Sequence, residues 1–88
     1  MDKCLDMYKH IDEELSDAWK YAMHAAEEKG KNSALCILFS TLAQEELSHA
    51  SKIRSAVLNM RGDEPSEVLD YLDSSMVDKA AKVKLILG

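Results

Sequence analysis

Proline occurs once and glycine three times in 88 residues, too few turn formers for the tight reversals of an all-β sandwich or barrel. Cysteine is confined to Cys4 and Cys36. Two cysteines cannot frame a disulfide-stapled domain, and with no CxxC pair they match neither a zinc knuckle nor a redox motif. On helical apolar stripes both read as small buried hydrophobes. No apolar run approaches the ~18–20 residues that cross a bilayer. The start, Met1-Asp2-Lys3-Cys4, has neither the basic cluster nor the apolar stretch of a secretion signal. Positive charge is scarce: 11 Lys and Arg against 16 Asp and Glu leave a formal charge of −5. That balance argues against a protein that works on nucleic-acid phosphates or acidic membranes. The expectation is a soluble, cytoplasmic protein with no nucleic-acid and no membrane partner.

What is present is helical pattern. With 47% hydrophobic and 31% charged residues the chain is too apolar for disorder. Its length makes residues 1–88 a single domain with a thin core, hiding only about 60–68% of the unfolded surface. Cys4, Tyr8, Ile11, Leu15, Ala18, Ala22 and Ala25 recur at alternating spacings of four and three, which predicts a bundle helix over residues 3–29. Gly30 is a stop signal, and Asn32 and Ser33 are capping candidates for a second helix. A link this short forces the neighbouring helices antiparallel. The second helix, over 33–61, carries its stripe at Leu35, Phe39, Leu42, Glu46, His49, Ile53, Ala56 and Met60. Two slots of that stripe hold an acid and an imidazole where leucine is usual, so something must reward their burial. After Gly62-Asp63-Glu64-Pro65, the run Val68, Leu69, Leu72, Met76, Ala80, Val83 and Leu87 predicts a C-terminal helical segment over 65–87. Ser75 with Asp78 resembles a capping box, so one bent helix or two short ones both fit. The fold class is all-α, an antiparallel two-helix hairpin plus a C-terminal helix.

Glu46 and His49 are i and i+3, so both leave one face of the helix and reach one ion. A carboxylate and an imidazole so placed suit iron, manganese or zinc. Counting from the turn at ~1.5 Å per residue, Glu14, Glu46 and His49 all stand roughly 21–25 Å along the hairpin, level with one another. Glu14 lies on the inner side of the first helix, three after Ile11 and four before Ala18. One chain therefore offers half of the ligand set of a di-iron bundle, in which two helices each give a Glu and two each give a Glu-x-x-His. No second Glu-x-x-His occurs in residues 62–88. A second copy across a twofold axis would complete four helices and the ligand set, and would cover the stripe a lone hairpin leaves open. Four glutamates contribute about −4, which balances two Fe²⁺ ions.

These residues resemble the ferritin-like superfamily, particularly rubrerythrins and the short half-ferritins known as encapsulated ferritins. The matching stretches are Glu13-Glu14-Leu15 through Trp19-Lys20-Tyr21, and Ala43-Gln44-Glu45-Glu46-Leu47-Ser48-His49-Ala50. They cover the hairpin, roughly residues 8–57. The resemblance implies dimerisation into a ferritin-like four-helix bundle with a di-iron centre at the interface. Its ligands would be Glu14, Glu46 and His49, with Tyr21 beside them and two iron ions per dimer, for which zinc, manganese or calcium could substitute. It implies ferroxidase activity in iron storage or detoxification. It also implies higher, ring-like assembly and an encapsulin-type protein shell as partner, a nanocompartment within the cytoplasm. No cysteine-rich rubredoxin module is present, so a complete peroxide-reducing electron chain within this polypeptide is not expected.

Plainer readings stand beside these. Glu14, Glu46 and His49 also fit a buried polar network that fixes helix register, or a zinc staple without turnover. Rubrerythrin-like peroxide reduction with an external electron donor is a third reading. Tyr21 fits a bundle-edge tyrosine. Glu13, Asp17 and Glu45 either guide cations towards the site or form a solvated helix face. His10 and His24, without partners at ligand spacing, read as surface or interface residues. Trp19, Phe39 and the five methionines read as packing, within the chain or between copies. Lys79, Lys82 and Lys84 suit the C-terminus of a helix through its dipole.

Overall fold

A computed structural model describes residues 2–88, with Asp2 described as backbone only. Met1, one of the five methionines expected to pack and the first residue of the start segment, lies outside the described residues. Three helices account for nearly all of the chain: α1 (Asp2–Glu28), α2 (Ser33–Arg61) and α3 (Glu67–Leu87). None is long and apolar enough to cross a membrane.

The punctuation between helices is local chemistry. Gly30 takes a left-handed φ of 78°, and the amides of Lys31 and Asn32 donate to the Glu28 carbonyl, each at 3.0 Å, closing the end of α1. Asn32 then turns round to cap α2, its side-chain oxygen accepting from the Leu35 amide at 3.0 Å. At the far end Gly62, φ 58°, ends α2 by donating its amide to the Leu58 carbonyl. Ser66 caps α3 by accepting from the Leu69 amide at 3.2 Å, and Glu67 and Asp70 in the first turn favour the positive end of the helix dipole. The break allowed at Ser75 does not occur: α3 is one helix from Glu67 to Leu87.

α1 packs against both α2 and α3. The tight link makes α1 and α2 antiparallel. Contacts of α1 with α3 climb both helices together, from Tyr8 with Asp73 to Asp12 with Lys79, so α3 runs parallel to α1 and the topology is up, down, up. All seven stripe residues expected on α1, Cys4 through Ala25, are buried.

The stripe expected on α2 is displaced. Its inward residues are Ala43, Ala50 and Val57, one position round from Leu42, His49 and Ala56. Leu35, Ala56 and Met60 are exposed, and Phe39, Leu42, Glu46 and Ile53 half-buried. α3 packs chiefly on α1, and α2 meets the shared core through its smaller residues. The first core layer joins Tyr8, Ile11, Leu15, Val57, Leu69 and Met76. The second, nearer the α1–α2 turn, is Ala18, Ala22, Ala43 and Val83, small residues that let helix axes approach closely. Leu47 packs against both layers.

A polar clasp fastens α3 at the α2–α3 end. Asp73 receives Arg54 through two bonds of 2.8 Å and the Tyr8 hydroxyl at 2.9 Å. Arg61 binds Asp70 at 2.7 Å. Among the described residues every buried side-chain polar atom has a partner.

Candidate metal centre

Leu15 and Leu47 place the site. Leu15 is buried in the core and Leu47, half-buried, packs against it; each is next in sequence to an acid, so their inward packing aims Glu14 and Glu46 about 100° round their helices, into the seam between α1 and α2 away from α3. His49, one turn beyond Glu46, leans over the same seam. His49 Nδ1 lies 3.4 Å from Glu14 Oε2 and 3.6 Å from Glu46 Oε1. One donor atom from each of the three residues falls within 4.8 Å of the other two, although 35 residues separate Glu14 from His49.

Burial is lower than the sequence pattern suggested. The side chains of Glu14 and Glu46 are 29% and 20% exposed and that of His49 52%. The reason is the displaced stripe: in the single chain this face of α2 is a flank of the bundle, and the core runs beside it.

The two carboxyls face each other closely enough to share a proton. Protonated Glu46 donates towards Glu14, and that bond, with burial and the adjacent negative charge, pushes Glu46 up to about 7. Glu14 is correspondingly held below the usual carboxylate range, first by that bond and then by His49. Paired carboxyls that resist ionising together, beside an imidazole, are the electrostatic condition that a divalent cation relieves.

The remaining candidates divide. Tyr21 stands two turns from Glu14 with its ring stacked on Phe39, centroids 6.3 Å apart, and among the described residues its hydroxyl makes no hydrogen bond. Glu13 is exposed, 3.8 Å from His10. Asp17 is exposed yet near enough to help raise Glu46, and Glu45 is exposed. His24 lies against Phe39 at 5.0 Å between centroids. Two contributions were not read from the sequence: His10, whose charge helps lower Glu14, and Asp17 acting on Glu46. The signals were their spacings, one turn before Glu14 and one turn after Glu13.

Compared with protein-family models, curated proteins and solved structures, the chain matches nothing.

Proposed function

We propose that this chain is half of a di-iron carboxylate protein, ferritin-like in organisation, which a second copy completes and which oxidises Fe²⁺ to Fe³⁺ in iron storage or detoxification. The observation that carries the reading is the convergence of Glu14, Glu46 and His49, from two helices, with donor atoms within 4.8 Å. Two carboxylates and an imidazole fit iron in both oxidation states. Three protein donors leave coordination positions open, and half-exposed side chains leave room for a partner's set.

The open flank supports the twofold pairing. Phe39, Leu42 and Ile53 are half-buried and Leu35 and Met60 exposed around the donors, an apolar surround that a second hairpin would cover. Two chains would then supply four carboxylates and two imidazoles, about −4 of charge against two divalent cations. Iron bound there supplies the electrons that reduce oxygen or peroxide. The residues of the chain do the rest. Glu46 gives up its shared proton when a cation arrives, Glu14 is already ionised, and His49 adds an imidazole nitrogen. Together the carboxylates favour the higher charge of the oxidised product.

The test is Fe²⁺ oxidation, followed by ferric absorbance against a protein-free blank, with mass in solution measured before and after metal addition. Metal-dependent dimerisation and oxidation above the blank are expected, and Glu46→Ala or His49→Ala should abolish both. Undiminished rates in both variants would overturn the reading. Tight Zn²⁺ binding and dimerisation with no oxidation above the blank would establish the staple instead, and a strong preference for peroxide the rubrerythrin-like chemistry.

A further inference from the structure

On the far side of α1 from the carboxylates, α1 and α3 enclose a groove of about 380 Å³, within the size range of small-molecule sites. Leu15 and Val83, 3% and 1% exposed, form its floor. Trp19, 44% exposed and about 140° round α1 from Glu14, forms one wall. Lys20, Lys79 and Lys82 stand on its rim. Lys79 is engaged by Asp12, whereas Lys20 and Lys82 take part in no ion pair among the described residues. A chain with a formal charge of −5 thus sets two uncompensated ammonium groups, one from each helix, beside its single tryptophan. A half-exposed indole over an apolar floor retains water-facing π surface that a flat ring would cover. Ammonium groups on flexible stems suit a compact anion whose orientation they need not fix.

We propose that this groove is a binding site for an aromatic anion, a planar ring bearing one carboxylate or phosphate. The ring lies on Trp19 above Leu15 and Val83, and the anionic group sits between Lys20 and Lys82. Fused or single rings fit the volume, whereas a nucleic-acid strand would need a longer basic track than three lysines provide. The site is separate from the carboxylate seam, and nothing in it requires metal.

Trp19 reports on its own groove, because a single tryptophan gives a single indole N–H signal in a ¹⁵N-correlated NMR spectrum. Titrating with 2-naphthoate and with phenyl phosphate should shift that signal saturably. Cyclohexanecarboxylate and neutral 2-naphthalenemethanol should bind at least tenfold more weakly. The double variant Lys20→Gln, Lys82→Gln should weaken naphthoate at least tenfold, with helicity by circular dichroism showing the fold retained. A second variant, Trp19→Leu, followed through the Val83 methyl signals, should remove the preference for naphthoate over cyclohexanecarboxylate. Failure to saturate with either aromatic anion, equal affinity in the double lysine variant, or equal binding of the two carboxylates by the unaltered chain would each overturn the proposal.

Discussion

Glu46 keeps a proton that an ordinary glutamate loses, because Glu14 lies opposite it in a half-covered seam. The consequence for stability has a definite sign. In the unfolded chain Glu46 ionises at its ordinary 4.5, and in the folded chain only at about 7. Between those values the folded state binds more protons, so stability falls as pH rises. Glu14 acts oppositely: its contribution is present above 4.5 and is lost as pH falls through its lowered folded value. Glu46→Gln, which keeps a neutral donor facing Glu14, should flatten the decline between 4.5 and about 7 in thermal melts of metal-free protein. Cation binding needs the ionised acid, so Zn²⁺ should displace the Glu46 proton below neutrality, and progressively less of it above. Calorimetry in two buffers of different ionisation enthalpy measures the protons released, and Glu46→Gln should lower that number by about one below neutrality.

At the scale of the helix, α1 was legible and α2 only partly. The seven α1 residues that recur at fours and threes are the ones buried among its described residues, since α2 and α3 both pack against that one stripe. α2 is apolar on two sides, with Ala43, Ala50 and Val57 inward and Leu35, Phe39, Leu42 and Ile53 on the open flank. Periodicity favoured the bulkier series, while the core uses the smaller one. Counting residues from Gly30 put Glu14, Glu46 and His49 level with one another, and their donor atoms do converge, because rise per residue is insensitive to which side of α2 faces inward. The clasp on α3 was not legible: Tyr8 and Asp73 are 65 positions apart, and no local pattern announces a tertiary ion pair. Asp73→Ala leaves the half-buried Arg54 and the buried Tyr8 without their acceptor and should cost about 1–3 kcal/mol. Hydrogen exchange should then show α3 amides opening ahead of those of α1 and α2. Because Asp73 is held below its ordinary value chiefly by Arg54, this contribution is present above 3.8 and lost as pH falls through the lowered value. Ala43→Leu tests the other end. Overpacking that layer should cost about 1–3 kcal/mol, and by parting α1 from α2 it should weaken Zn²⁺ binding without altering a donor.

For the whole molecule, the decisive asymmetry is that α3 covers one side of the hairpin and leaves the donor-bearing side open. The proposed pairing with a second copy can therefore be blocked without disturbing the chain itself. Ala56 is exposed, two turns beyond His49 on the same flank, as is Leu35 towards the opposite end. Ala56→Lys with Leu35→Lys should leave helicity and melting temperature nearly unchanged while holding the protein at single-chain mass in sedimentation, with Fe²⁺ oxidation reduced to the blank. Dimerisation of that variant at undiminished strength would place the interface elsewhere. The clasp carries a last implication. Its bonds from Asp70 and Asp73 grip the first half of α3, and Asp12 holds Lys79, whereas from Lys82 onwards, among the described residues, the helix is secured by the apolar Val83, Ile86 and Leu87. Under force or mild denaturant, α3 should peel away from its carboxyl end like a strap buckled at one side, uncovering the alanine layer well before the bundle comes apart.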